Sequence, residues 1–426
     1  MLVDAWLPRA ARAHPERAAV NAMSYAELLV AAREAGAALA ARGVARGDRV
    51  ALALAPGTDF VVALHATWLL GAVVVPHDLR LTPAERPPAD HLVEGLERGR
   101  AGAPPLVATH DLAAPALALQ TSGTSGAPKP VTLTFGNLLW SALGSAAALG
   151  VEPQDTWLCT LPLSHVGGLS IVVRSAIQAT HALVHERFDV EAALEALTTR
   201  RVTLVSLVPT TLQRLLDAGL HEPPDLRCAL LGGAPVPPEL QLRARAAGIP
   251  VAQTYGLTET CSQVTTQAPG DARADAGRPL FCTRVRIAPD GEIHVSGPTV
   301  AGGGELATGD LGALDAEGRL TVTGRKADTI VTGGENVAPT EVEAVLAEHP
   351  DVAEAAVHAR ADPVWGEAVV ATVVLRAGAR ATEDELRAHC AARLAAFKVP
   401  KAVTFAEELP RTRSGKLLRR ELERTG

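Results

Sequence analysis

Residues 121–130 read TSGTSGAPKP. Gly123 and Gly126 punctuate a run of hydroxyl side chains that ends in a single cation, Lys129. Such a segment can wrap a polyphosphate. Its glycines let backbone N–H groups turn toward anionic oxygens, Thr121, Ser122 and Thr124 add donors, and the lysine neutralises charge. The Gly-Lys-Ser/Thr run of a Walker loop is missing, and Pro128 precedes the lysine. A Ser/Thr/Gly surface linker has the same composition.

Three further groups place polar residues where chemistry can be done. Tyr255 to Glu259, YGLTE, follows a β-type stretch from Ile249 to Gln253. A strand ending in a ring, a glycine, a hydroxyl and a carboxylate presents all four at the carboxyl edge of a sheet, where open α/β folds bind ligands. The ring of Tyr255 can stack on a base, Thr258 can reach phosphate, and Glu259 can hold Mg2+. An ordinary strand-to-helix turn with a capping threonine fits the same five residues. Thr308-Gly309-Asp310 offers a carboxylate to the vicinal hydroxyls of a ribose. Arg411 to Lys416, RTRSGK, is a basic segment that a solvated tail explains equally well.

The elements that must position these groups follow from length and periodicity. A chain of 426 residues exceeds one hydrophobic core, so two or more domains are expected. With 47% hydrophobic and 20% charged residues it reads as globular. A net charge of -7 argues against a nucleic-acid binder, which needs clustered Lys and Arg, but not against a nucleotide site. Cys159, Cys228, Cys261, Cys282 and Cys390 are scattered without a CxxC pair, so neither a disulfide framework nor a zinc site is indicated, and a reducing cytoplasm fits. No export signal and no membrane span are expected, since the longest apolar stretch, Phe60 to Pro76, is broken by His65 and Thr67.

Helical and strand patterns alternate. Tyr25 to Arg42 has helical spacing and a stop at Gly43; Arg49 to Ala55 is β-type; Asp59 to Leu70 and Ala72 to Pro76 repeat the unit. The same rhythm returns over Val190 to Leu207 and Thr210 to Leu231, which predicts α/β architecture with a mostly parallel sheet. Thr82 to Pro115 reads as a long surface connection. From Gly270 the texture changes to short strands, with hairpin turns at Asp290-Gly291 and Glu317-Gly318. Beyond Arg325 a smaller α+β unit is expected: helix Pro339 to Glu348, strands Ala353 to Ala359 and Ala368 to Leu375, and helix Glu383 to Ala396.

TSGTSGAPKP, LPLSHVGGLS, LLGGAP, YGLTE, ATGDLG, GRKADTIVTGGENV and RTRSGK occur in an order that resembles the adenylate-forming superfamily of acyl-CoA synthetases, luciferases and peptide-synthetase adenylation domains, over nearly the whole length. The resemblance implies an N-terminal AMP-binding domain over 1–324, a hinge at 325–328 and a mobile α+β lid over 329–426. It implies an ATP-dependent acid–CoA ligase using Mg2+ and coenzyme A, with no nucleic-acid partner; a homo-oligomer stays open. It assigns Thr121, Ser122, Gly123, Thr124 and Lys129 to ATP phosphates, and Gly232, Gly233, Ala234, Tyr255 and Gly256 to the adenine wall. Thr258 goes to the α-phosphate, Glu259 to Mg2+, Asp310 and Arg325 to ribose, and Gly333 and Gly334 to the pantetheine channel. Lys416 would be the catalytic lysine that stabilises charge growing at the α-phosphorus. Pro130 stands where the family usually has glycine, and Ala327 where a charged hinge residue is common.

Within the superfamily, SHVGGLS, QTYGLTETCSQ and GRPLF are similar to the branch that activates 2-succinylbenzoate in menaquinone biosynthesis. An acid with a second carboxylate and a ketone needs donors in its pocket, since a buried unpaired carboxylate is costly. His165, Ser170, Gln253, Ser262 and Gln263 are the candidates; a packed loop histidine is the plainer account of His165. Other aryl- or medium-chain acyl-CoA ligases, a carrier-loading adenylation enzyme and an inactive nucleotide-binding relative remain as alternatives.

Overall fold

The computed structural model describes residues 1–97, 106–121, 129–411, 417–419 and 421–422. The chain divides into two compact units, one of Met1–Val285 with Val295–Leu306 and one of Arg286–His294 with Ala307–Gly426.

Among the described residues the first unit carries two large sheets. One is nine-stranded, in the spatial order Arg278–Pro279, Ser262–Thr266, Val251–Leu257, Cys228–Leu231, Leu204–Leu207, Thr156–Cys159, His181–Val184, Ala18–Val20, Met23–Ser24. Its centre is parallel from Val251–Leu257 across to Ala18–Val20, and both edges are antiparallel. The other is five-stranded: His91–Val93, Arg49–Leu52, Val73–Pro76, Pro115–Thr121, Lys129–Thr134. The alternating periodicity therefore reads the architecture well, because parallel strands buried on both faces require crossover helices.

Local signals set the helices. Ser24 and Glu27 form a capping box ahead of the helix Tyr25–Ala41, and Thr134 and Asn137 do the same for Phe135–Leu149. Ala31, Ala32 and Ala35 are buried on the first of these, and small side chains allow close approach to the helix Thr58–Leu69, which is buried from Phe60 to Leu69. Beside that helix, Trp6, Trp68, Phe135 and His110 form an aromatic cluster, with the His110 ring stacked on Phe135 at 4.1 Å and His65 edge-on to Trp68. Burial pulls the His65 imidazole down to about 3 and that of His110 to about 4.

Several expectations need correction. Thr82 to Pro115 is not a bare surface connection: His91–Val93 is a parallel edge strand on Arg49–Leu52, with Val93 buried, and Thr109–Asp111 pairs with Leu2–Asp4. These strands are three residues long and carry too little periodicity to be seen. The strand from Arg49 stops at Leu52, and the helix from Glu383 stops at Ala391 rather than Ala396.

In the second unit the hairpin Glu305–Leu314 with Leu320–Arg325 is antiparallel, and a five-stranded sheet gathers Glu335–Val337, Ile330–Thr332, Gly366–Leu375, Val352–Asp362 and Ala402–Phe405. The helices Pro339–Ala347 and Glu383–Ala391 bury Val342, Leu346, Leu386 and Cys390 into its core with Val357 and Val369.

Candidate active site

The first unit brings together strand ends from both sheets. Thr121 and Lys129 are register partners at the open end of the antiparallel pair Pro115–Thr121 and Lys129–Thr134. Ser122, Gly123 and Thr124 lie outside the described residues. Pro130 sits opposite Gln120 on an edge strand, where a residue without an N–H costs no ladder bond to a further neighbour. The Thr121 hydroxyl lies 3.5 Å from Oε1 of Glu259, so the first residue of the phosphate-loop candidate and the metal-ligand candidate are adjacent. The Glu259 carbonyl accepts from the Ala301 N–H at 2.8 Å, which fixes its backbone.

YGLTE is not a strand-to-helix turn. The strand runs through it as Val251–Leu257, a 3-10 turn follows at Thr258–Thr260, and the chain returns antiparallel as Ser262–Thr266. The reversal depends on two non-glycine residues in the left-handed region, Cys261 at φ 55° and Ser262 at φ 91°. It also depends on Gly256, where a Cβ would sit 1.6 Å from the Ser262 carbonyl oxygen. Beside it, Leu231 pairs with Gln253, so Gly232 faces Thr254, and a Cβ there would meet the Thr254 carbonyl at 3.0 Å. Gly233 is left-handed at φ 82°. Gly232, Gly233, Ala234 and Tyr255 thus share the carboxyl edge of two neighbouring parallel strands.

Of the substrate-pocket candidates, His165 and Ser170 belong to one helix, Val166–Gln178, and its N-cap, whereas Gln253 lies on the strand Val251–Leu257 and Ser262 and Gln263 on Ser262–Thr266. His165 is the N-cap residue and is not packed: the ring is half exposed, with Nε2 3.3 Å from Arg80 and 3.9 Å from Asp78. Ser170 is buried and donates to the Gly167 carbonyl. The Gln253 N–H donates to Gln267, and the buried Gln263 donates to Thr266 while its Oε1 has no partner.

One residue was missed. Arg174, on the same helix, is 2% exposed and has no carboxylate within ion-pair distance among the described residues. Its Nη2 donates to the Ser262 hydroxyl at 3.4 Å, its guanidinium carbon lies 5.3 Å from the Trp157 ring centroid, and Nε has no partner. Burial pulls its pKa down to about 10. A buried ion costs several kcal/mol, whereas a desolvated cation–π contact returns about 2 kcal/mol and a long neutral hydrogen bond less. The chain supplies half of an ion pair here. In the sequence the signal is the lone cation in VGGLSIVVRSAIQ.

In the second unit Arg325 Nε donates to Oδ1 of the buried Asp310 at 2.7 Å across the hairpin Glu305–Leu314 and Leu320–Arg325. Gly333 and Gly334, at φ 59° and 86°, form the two-residue turn between Ile330–Thr332 and Glu335–Val337, which strongly favours glycine. A Cβ on Gly333 would also sit 2.8 Å from the Trp365 ring. Lys416 lies outside the described residues. No group of three His, Cys, Asp or Glu side chains among the described residues is placed to hold a metal alone, and no helix is long and apolar enough to cross a membrane.

The model of the AMP-binding enzyme family matches residues 7–89 and 88–304, and that of the AMP-binding enzyme C-terminal domain matches 341–416. The 2-succinylbenzoate–CoA ligase of Geobacillus kaustophilus is 41% identical, covering 98% of this chain and 97% of the relative. That of Bacillus subtilis is 37% identical over the same shares. Among solved structures, o-succinylbenzoate CoA synthetase from Bacillus subtilis in complex with its acyl-adenylate intermediate superposes with a TM-score of 0.92 at 36% identity, covering 99% of this chain and 98% of that one. The complex of that synthetase with ATP and magnesium ion gives 0.91 over 99% and 100%. With both family models matched in order along the chain and relatives aligned end to end, this protein belongs to the AMP-binding enzyme family.

Proposed function

We propose that the chain is an ATP-dependent acid–CoA ligase that converts 2-succinylbenzoate to its CoA thioester in menaquinone biosynthesis. A carboxylate oxygen of the acid attacks the α-phosphorus of ATP, pyrophosphate leaves, and the thiol of CoA then displaces AMP from the acyl-adenylate. The observation that carries the substrate is Arg174: a buried cation with no carboxylate of its own, touching Ser262, suits an acid that brings a second carboxylate. A fatty acid leaves that charge unpaired.

In this reading Thr121, Ser122, Gly123, Thr124 and Lys129 bind the phosphates, and Gly232, Gly233, Ala234, Tyr255 and Gly256 flank adenine. Thr258 meets the α-phosphate, and Asp310 with Arg325 takes the ribose. Glu259, one carboxylate beside the Thr121 hydroxyl, fits Mg2+, which takes one or two protein carboxylates and fills its shell with phosphate oxygens and water. Bound there, the ion neutralises phosphate charge. Lys416 stabilises the charge that grows at the α-phosphorus, since phosphoryl chemistry is mainly positioning plus charge stabilisation. His165, Ser170, Gln253 and Ser262 shape the acid pocket, Gly333 and Gly334 border the pantetheine channel, and 325–328 is the hinge.

The test is product formation from ATP, CoA and a panel of acids. 2-Succinylbenzoate is expected to be preferred over benzoate, 4-phenylbutyrate and octanoate by about 10⁴-fold in kcat/KM, because sites built to pair a polar group reject analogues without it. Preference for octanoate or benzoate removes the substrate and leaves the acid–CoA ligase standing. Absence of pyrophosphate release with every acid removes both.

A further inference from the structure

We infer that Glu292, tethered by Lys326, is a positioning residue that fixes the Asp310 carboxylate for the nucleotide ribose; the inference rests on the reading of Asp310 given above. Glu292 begins the strand Glu292–Ser296, just after the Asp290-Gly291 turn, and its carboxylate is largely buried. Oε1 accepts from the Gly309 N–H at 2.9 Å, and Oε2 accepts from Lys326 Nζ at 2.9 Å. Lys326 also donates to Asp290 at 2.6 Å.

These contacts close a ring around Asp310. Gly309 is left-handed at φ 74°, a conformation that points its N–H out of the strand ladder and into the Glu292 carboxylate. The Thr308 hydroxyl donates to the Ile293 carbonyl at 2.8 Å and accepts from the Asp310 N–H at 3.1 Å. The two residues that precede Asp310 are thus tied to one neighbouring strand, and the Asp310 N–H is tied to the first of them. On the far side Arg325 holds Oδ1 of Asp310 at 2.7 Å, and Arg325 is the chain neighbour of Lys326. The path Asp310, Arg325, Lys326, Glu292, Gly309 returns to its start.

The members differ in weight. Lys326 is half exposed, so its pair with Glu292 is screened and contributes little. The contact from the Gly309 N–H to a shielded carboxylate is charge-assisted, and its loss leaves an amide unpaired at the turn that aims Asp310. Glu292 therefore sets the position and Lys326 sharpens it.

A merely structural glutamate would lower stability and use of every nucleotide together. A positioning residue lowers the preference for a ribose with both hydroxyls. The experiment measures adenylation with ATP and with 2′-deoxy-ATP, alongside thermal melts. Wild type is expected to favour ATP by about tenfold or more, and Asp310→Asn to abolish that preference. Glu292→Ala is expected to raise KM for ATP about tenfold, hold kcat, and bring the preference within about threefold. Glu292→Gln, which keeps an acceptor for Gly309, restores most of it. A folded Glu292→Ala that keeps the wild-type preference, or that loses ATP and 2′-deoxy-ATP equally, overturns the inference alone. Retained preference in Asp310→Asn overturns the ribose reading, and the inference falls with it. Should Glu292→Ala fail to fold, Glu292→Asp keeps the charge but draws it back from the Gly309 N–H by one methylene; a preference lowered about twofold or more supports the inference, and an unchanged one overturns it.

Discussion

Arg174 in the first unit stands apart from the paired cations of the second, although the first unit also pairs Arg227 with Asp155 at 2.5 Å. In the second, Arg325, Lys326 and Arg419 each meet a carboxylate of the same unit, at 2.7 Å to Asp310, 2.6 Å to Asp290 and 2.6 Å to Glu343. In the first, Arg174 is more deeply buried than any of them and meets a hydroxyl and a ring. Where the chain provides both charges, the pair holds shape with no ligand present. Where it provides one, the site is complete only with an anion from outside. Unpaired burial costs stability, and a protein retains it where function returns something for it.

The largest effect that bears on this contrast is expected at Lys416, a further cation, whose proposed partner is the α-phosphate. Lys416→Ala should reduce adenylation by about 10²-fold or more while supplied acyl-adenylate and CoA still yield thioester. Separate assays of the two half-reactions read this out, and equal loss of both contradicts the assignment.

Next comes Arg419, which donates to both oxygens of Glu343, to Asp328 and to the Val357 carbonyl. Removing it strands two partly buried carboxylates. Arg419→Met is expected to destabilise by roughly 3 kcal/mol in a denaturant or thermal melt, whereas Arg174→Met should leave stability unchanged or raise it. If both variants lose stability alike, the contrast between the paired and the unpaired cation is broken.

The smallest effect comes from buried groups kept neutral. His65 and His110 have folded pKa values depressed to about 3 and about 4, so the unfolded chain binds protons first as pH falls. Their contribution is fully present above the ordinary value of 6.5 and is lost downward from there toward pH 4 to 3. At pH 6 the two together should cost roughly 2 kcal/mol relative to pH 8. Melting midpoints of wild type and His110→Phe across that range check the sign and size: the variant should lose about half of the dependence.

Much of this was legible in the sequence, for physical reasons that also explain what was not. Helices such as Tyr25–Ala41 announce themselves through a capping box and a long apolar repeat, and parallel strands such as Cys228–Leu231 through continuous apolar runs. The placement of Thr121 near Glu259 follows once strand ends are known to gather at one sheet edge. The turn at Cys261 and Ser262 hid because neither residue advertises a left-handed backbone, and only the close approach at Gly256 forces it. Arg174 hid because an arginine in an apolar helix ordinarily extends its head to water; that this one does not is a fact of packing. Gly333 and Gly334 invited a reading as channel walls, and the hairpin geometry supplies a turn that favours glycine whatever passes beside it.

The central claim is that Arg174 waits for the second carboxylate of the substrate. The measurement is the ratio of kcat/KM for 2-succinylbenzoate to that for 4-oxo-4-phenylbutanoate, which keeps the keto acid chain and lacks the ring carboxylate, in wild type and in Arg174→Met. A ratio of at least about 10² in wild type that collapses toward about 1 in a stably folded variant is the expected result. An equal ratio in the two proteins would contradict it.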